Sequence, residues 1–409
     1  MSEAFEPENF EPKIFEPTRA AGLQRLAAFV PKAGDYARLR NYDLGPKGDA
    51  VSGLSPYLRY RLIDEAEVLA AVQGRWKERA ADQFVREVFW RSYFKGWLQM
   101  RPKVWSDYER DRDAALSAIE SEPERRRLYD SACEGKTGIA CFDAWSDELR
   151  TTGYLHNHAR MWFASIWVYT LELPWTLGAD FFYRHLLDGD PASNTLSWRW
   201  VCGLHTRGKT YLARRDNIQK YTRGRFDPEG LASEAPPLDG PSLAAPDASQ
   251  VPSFRLIDEQ GHEQALPSKF ALLVTPEDLL PERIVGASLV ERASARFSLS
   301  RESPRSPLGT AENVRSFVAG ACENTRQRLD AQAVHEVGAE LLAHDVIVTP
   351  FAPVGPIATE LLASEALLSS KGVRMLRAVR TYDRLAWPHA TAGFFKLAKK
   401  IPSLMAQMC

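Results

Sequence analysis

Residues 227–252, DPEGLASEAPPLDGPSLAAPDASQVP, split this chain into two stretches with different hydrophobic periods. The segment is rich in Pro, Ala, Ser and acids, a composition that cannot bury a core, so it reads as a linker. Before it, over residues 18–226, apolar residues recur at helical spacing. AGLQRLAAFV and DEAEVLAAVQ read as amphipathic helices, the second opening on an acidic first turn that suits the helix dipole. ERAADQFVREVFWRSYFKGWLQM and ELRTTGYLHNHARMWFASIWVYTL read as two long helical runs. After the linker, over residues 253–409, the short runs KFALLVT, ASARFSL, DVIVTPF and VRMLRAV read as strands, and AENVRSFVAGACENTRQRLD and AQAVHEVGAELLAH as helices between them. That alternation predicts a smaller α/β domain with a mainly parallel sheet. Pro353-Val354-Gly355-Pro356 reads as a strand-to-helix turn. Residues 1–17 hold three Phe-Glu-Pro triplets, at Phe5, Phe10 and Phe15. A Pro every five residues forbids a regular helix, so this segment is expected to be an extended arm.

Composition removes several classes of function. The formal charge of −1 gives no general electrostatic case for nucleic acid. Cys133, Cys141, Cys202, Cys322 and Cys409 show no CxxC or Cys/His spacing, which argues against a structural metal and fits reduced thiols in a cytoplasm. No apolar run approaches the ~20 residues that span a bilayer, so no membrane partner is expected. The α/β stretch holds neither a GxGxxG nor a GxxxxGK[ST] motif, so nucleotide binding is not indicated there. Locally the charge is uneven. Arg207, Lys209, Arg214, Arg215, Lys220, Arg223 and Arg225 crowd one segment, which reads either as solvated surface or as a phosphate-contacting rim.

Chemistry concentrates between Gly153 and Trp200. Asn157, Arg160 and Met161 fall at i, i+3 and i+4 and share a helix face. Asp188, Asp190 and Asn194 sit on a loop that closes with Trp198 and Trp200. Buried polar groups need partners, so polarity in this apolar frame points to a large polar ligand. Upstream, Ser52, Gly53, Leu54 and Ser55 precede a Pro-initiated helix and offer hydroxyls and free N–H groups, which suit a phosphate; ordinary capping explains them equally well. Glu87, Trp90 and Arg91 share a face of FVREVFWRSYF, where an ion pair within a helical bundle is the plainer account of Glu87.

Taken together, SGLSPYL, FVREVFWRSYF, LHNHARM, DGDPASN and WRW resemble, in order and spacing, the FAD-binding domain of the photolyase/cryptochrome family, over about Tyr36 to Trp200. The resemblance implies a mainly α FAD-binding domain followed by the smaller α/β domain. It implies that Tyr36 and Ser52 to Ser55 hold the phosphates and ribityl chain of FAD, and that Trp90 and Arg91 line the cavity. Asn157 would face adenine or the substrate pocket, Arg160 would lie beside the isoalloxazine paired with Asp188, and Asp190 would sit near the flavin ring and adenine. Asn194 matches the residue opposite flavin N5, where a neutral amide tolerates an anionic reduced flavin better than a carboxylate does. Glu87 and Met161 match positions that contact a cyclobutane pyrimidine dimer, and Asn157 stands where (6-4) enzymes carry a second His.

This implies a blue-light flavoenzyme that repairs cyclobutane pyrimidine dimers in DNA, single-stranded DNA included, by electron transfer. The alternative is a cryptochrome-like photoreceptor that signals through flavin photoreduction, and a binding protein that has lost light chemistry is a third reading. Three features depart from the family pattern. Trp198 and Trp175 match two members of its usual tryptophan series, but the third position falls near Glu122, leaving Tyr129, Trp105 or Trp167 as stand-ins. The α/β domain follows the helical one, as a rearranged antenna-like domain or as an unrelated appendage, and its pigment, if it has one, is unassigned. The run GLHTRGKTYLARRDNIQKYTRGRF after Trp200 also differs from that of common dimer-repairing relatives.

Overall fold

The computed structural model describes residues 15–46, 48, 50–76, 78–251, 266, 269–300, 304–336 and 338–408. Helices dominate up to residue 221, and their ends follow local chemistry. Thr18 caps Arg19–Phe29 by accepting from Ala21 N at 3.1 Å. Asp64 and Glu67 form a reciprocal capping box on Glu65–Arg75, satisfying two of the orphan amides at its start. Asp82–Gln99 is the central helix, and one flank of it is buried along much of its length.

The expected run from Glu148 to Leu171 is not one helix. Ala140–Thr152 ends at Gly153, whose φ of +68° is left-handed, and Asn157–Ser165 starts afresh behind a cap from His156. A Cβ at Gly153 would lie 2.6 Å from Leu187, so the break and the close approach of the following loop both need glycine. The last turn widens to a π-helix over Ile166–Thr170.

The second half carries five parallel strands: β1 (Ala271–Val274), β2 (Ala295–Leu299), β3 (Gln332–Val334), β4 (Val346–Pro350) and β5 (Arg374–Ala378). Their order is β3-β2-β1-β4-β5, with Ala271 paired to both Ala295 and Ile347. Direction therefore reverses between β1 and β4, a topological switch point. The expected helix over AQAVHEVGAELLAH is instead β3 followed by a 3-10 turn at Ala339–Ala343. Asp330 in a left-handed conformation stops the preceding helix, and only three residues then pair at the sheet edge, too few to show alternation.

The two halves share one core. Leu272 and Val274 on one face of β1 join the helical core, while Ala271 and Leu273 on the other pack with Ile347 and Leu361. Residues 227–251, the described part of the expected linker, are not a free tether. They run along the helical half, with Leu238 N bonded to Cys202 O at 3.0 Å and Asp247 N to Met100 O at 3.0 Å. Of the expected arm, Phe5 and Phe10 lie outside the described residues, while Phe15 is buried against Tyr57 and Tyr154. After β5 the chain returns across Asp82–Gln99 as Thr381–Ala386, Phe394–Ala398 and Ile401–Met408. Trp387 crosses at Gly96, where a Cβ would stand 2.8 Å from the tryptophan, and Ser92 donates to Tyr382 at 2.6 Å. Among the described residues no helix is long and apolar enough to cross a membrane.

Candidate functional site

The restart of the chain at Asn157 positions the first group of polar residues. Arg160 donates from Nε to Leu155 O at 2.8 Å, back into the Gly153 break, and from Nη2 to Asp188 at 2.9 Å. The charge-assisted pair fixes the guanidinium plane. The pair uses Asp188 Oδ2; the other carboxylate oxygen, Oδ1, is buried and has no hydrogen-bond partner among the described residues. An orphaned buried acceptor costs about 1–3 kcal/mol, so it fits a ligand that brings an N–H or O–H. Tyr154 lies beside this pair with its phenol pushed up to about 12 by burial, partly relieved by Arg160.

Tyr36 extends the same wall. Its ring packs edge-on against Phe29 and Phe84, and its phenol is raised by burial and then by the charge of Glu87. Glu87 is half-buried, ion-paired with Arg40 and bonded to Gln83 at 3.0 Å. Nearby, Ser52 Oγ accepts from Leu54 N at 3.3 Å, and Ser55 opens a short helix over Ser55–Arg59. A small cavity beside this segment is lined by Tyr42, Gly45, Ala50, Val51, Tyr154 and His156. Asn157 is exposed and Met161 half-buried on the shared helix.

A second group forms around Asp190. This carboxylate caps Pro191–Val201 by accepting from Ala192 N and Ser193 N at 3.0 and 2.9 Å. Lys95 stands 3.3 Å away, and Arg59 and Arg91 3.9 Å away. Burial alone would raise its carboxyl, but the three cations overcome it and hold Asp190 well below the usual carboxylate range. Burial pulls the Lys95 ammonium down, only partly offset by Asp190 and Glu277. Arg91 also reaches Glu65 at 3.3 Å.

The structure therefore brings Tyr36, Glu87, Arg160 and Asp188 to one wall and Arg91 and Asp190 to another. Trp90 does not face an open cavity, because Phe394 stacks on it at 3.8 Å with planes 10° apart. Asn194 donates from Nδ2 to Ala179 O at 2.7 Å, leaving Oδ1 as an acceptor for a ligand. The rings packed edge-on against Trp198 are Phe182 at 5.2 Å and Trp167 at 6.3 Å. Trp167 in turn meets Tyr129 edge-on at 6.0 Å. Trp175 packs at 6.0 Å from Tyr108, with the Arg199 guanidinium over its ring.

Four participants were missed. Arg59 and Lys95 each follow directly on a motif singled out, SGLSPYL and FVREVFWRSYF, and Lys95 shares the helix face of Arg91 at i+4, a spacing that could have found it. Glu277 and Arg305 come from beyond the linker, where no local spacing could connect them to Asp190 or to the helix end at His185. Glu277 bonds Arg59 at 2.6 Å, and Arg305 takes the carbonyls of Tyr183 and Leu186 at 2.9 and 3.0 Å. Among the described residues no group of three His, Cys, Asp or Glu side chains could hold a metal. The donor set, with cations, hydroxyls and an orphaned carboxylate oxygen, fits a large group carrying phosphates and a polar heterocycle.

Comparison with known proteins agrees with this chemistry. Residues 84–231 match the family described as the FAD binding domain of DNA photolyase. Tyr36 and Ser52 to Ser55 lie outside the matched range, upstream of it, and the remaining candidates lie inside it. The chain is 33% identical over 220 residues to a deoxyribodipyrimidine photo-lyase of Streptomyces griseus, covering 49% of this chain and 46% of that one. A deoxyribodipyrimidine photo-lyase of Thermus thermophilus is 34% identical over 215 residues, covering 52% and 49% respectively. A cryptochrome DASH of Idiomarina loihiensis is 26% identical over 244 residues, covering 57% and 51%. The chain thus spans about half the length of the curated relatives it matches.

Proposed function

Through its helical half the chain belongs to the photolyase/cryptochrome family of FAD-binding flavoproteins, and from that premise we propose that it repairs cyclobutane pyrimidine dimers in DNA under blue light. The observation that carries this reading is the wall built by Arg160, Asp188, Tyr36 and Glu87 within and beside the matched domain. FAD, when bound, supplies the light-absorbing electron donor. Arg160, held in plane by Asp188 and Leu155 O, presents a fixed positive face, and Asp188 Oδ1 accepts from the heterocycle or ribityl chain. Amides of the Ser52 to Ser55 segment and the Tyr36 hydroxyl serve the phosphates. Arg91 and Asp190 bound the far side, and Asn194 Oδ1 accepts at the ring edge. Asn157 and Met161 stand at the mouth. Glu87, freed from Arg40, hydrogen-bonds the damaged base, whose flipping costs less than that of an intact paired base. Trp198, Trp167 and Tyr129 provide an aromatic path away from the site; Trp175 lies on a separate branch.

The sheet order and switch point support reading the second half, residues 253–409, as a rearranged antenna-like domain behind a linker at 227–252. We place the protein in the cytoplasm on the scattered spacing of its five cysteines. One observation favours a second reading as a cryptochrome-like photoreceptor: Phe394 covers the Trp90 face that a flipped base would use.

The test is FAD reconstitution followed by blue irradiation of single-stranded DNA carrying defined dimers. Restoration of the bases, lost in Glu87→Ala with flavin content unchanged, is the expected result. Flavin bleaching without restored bases turns the reading to the photoreceptor, and failure to bind FAD overturns both.

A further inference from the structure

The C-terminal segment raises a question that the flavin site does not answer. From Arg384 to Cys409 the chain carries Arg384, Lys396, Lys399 and Lys400 and not one Asp or Glu. Lys396, Lys399 and Lys400 are exposed, and among the described residues no carboxylate pairs with any of them. In their midst stands Phe395, 75% exposed, the most exposed large apolar side chain described. A phenyl ring held in water costs burial energy unless something covers it.

Its placement is fixed. Phe394, the preceding residue, is buried and stacked on Trp90, and the Phe395 ring stands 6.1 Å from it at 65°. Trp90 meets Phe94 at 5.4 Å, and Phe94 meets His205 at 5.9 Å, at the base of the turn bearing Arg207 and Lys209. Both of those cations are exposed. The carboxylate one turn before Trp90, Glu87, is already held by Arg40. Two segments nearly two hundred residues apart thus converge on one cationic surface with a single protruding ring.

We propose that Phe395, Lys396, Lys399 and Lys400, with Arg207 and Lys209, form a binding surface for single-stranded nucleic acid, on which Phe395 stacks a base and the cations meet phosphates. Every base has a π-face, so one exposed ring among cations is suited to a strand of any sequence, which supplies both stacking surface and negative charge. An anionic membrane offers the charge but fits less well, because Ile401, Leu404 and Met405 of the final helix face the core and leave no apolar stripe to insert. The proposal takes from the preceding section only its ligand class. It adds a contact outside the flavin wall, made by the half of the chain that lies beyond the linker.

The full-length protein is titrated in the dark with an undamaged fluorescent single-stranded oligonucleotide. Phe395→Ala is expected to raise the Kd about tenfold. Lys396→Ala, Lys399→Ala and Lys400→Ala combined are expected to lower the slope of log K against log salt by about 2. Unchanged circular dichroism and FAD content show that the variants are folded. The proposal is overturned if the oligonucleotide binds all forms alike, if no form binds it, or if vesicles of anionic phospholipid compete it from the surface. The measurement needs neither light nor a lesion, so repair can fail while this surface stands, and the reverse.

Discussion

His205 sits in an aromatic cage, with its ring 4.8 Å from Trp97 and its Nε2 3.0 Å from the Tyr93 hydroxyl. Burial, with Arg199 and Arg101 adding to it, lowers its pKa to about 4. A histidine whose folded pKa lies below its unfolded value of about 6.5 binds its proton more readily in the unfolded chain. His205 is therefore expected to contribute stability that is full above about pH 6.5 and falls by about 1.4 kcal/mol per unit as pH drops toward 4, beside a loss of the same sign from His185, which burial lowers to about 3. His205→Gln should make that part of the profile shallower in urea unfolding, and an unchanged slope refutes the assignment. Asp188 makes a different prediction. Asp188→Ala leaves the fold intact but removes both the partner of Arg160 and the free acceptor. Loss of a charged hydrogen bond at about 1.5–3 kcal/mol weakens FAD binding roughly ten- to hundredfold, as read by flavin retention on dialysis. Retention equal to wild type places the flavin elsewhere.

At the scale of elements, the path of rings leaving Trp198 can be followed in space but not along the chain. Trp167 lies in the π-helical turn Ile166–Thr170, which rotates its ring between Trp198 and Tyr129. Trp167→Phe should slow light-driven bleaching of bound flavin more than Trp175→Phe does, measured under the same illumination, and equal slowing argues against this route. The sequence named Trp167 and Tyr129 as stand-ins without ranking them, because a π-turn leaves no mark in hydrophobic period. The helices themselves were legible, since apolar spacing and caps such as Asp64 act locally. Gly153 was readable as a break only once Leu187 was seen packed against it. The three-residue β3 was not readable at all, since its pairing comes from β2 rather than from its own pattern.

At the scale of the molecule, the least legible feature is the buried ionic seam between the halves. Arg61 bonds Asp278 at 3.1 Å and Asp383 at 2.6 Å, and Arg380 bonds Asp278 at 2.6 Å and Asp64 at 2.8 Å. Arg61 holds a φ of +53°, a left-handed conformation that costs about 1–2 kcal/mol outside glycine. The switch point of the sheet thus docks on the helical half through charges over two hundred residues apart, and only the fold brings them together. Removing one partner of a buried pair strands the other, so Arg61→Ala is expected to cost about 3–5 kcal/mol. The seam also sets the response to acid. Burial raises the carboxyls of Glu277, Asp278 and Glu65, but the facing cations outweigh it, chiefly Arg59, Arg380 and Arg61 respectively, so all three lie below their ordinary values. Asp383 runs the other way, raised by burial against the pull of Arg61, and offsets part of the effect. Depressed carboxyls give stability that is present above about pH 4 and is lost as pH falls through their folded values. Because Leu272, Val274 and Phe317 lie in the same core as the helical half, the halves are expected to separate and unfold together. Acid titration below pH 4 should then show one transition, coincident by far-ultraviolet circular dichroism and by tryptophan fluorescence, which reports mainly the helical half. Arg61→Ala should move that transition to higher pH as a single step. Two resolved steps, with the sheet melting first, would make the seam a loose contact between independent domains.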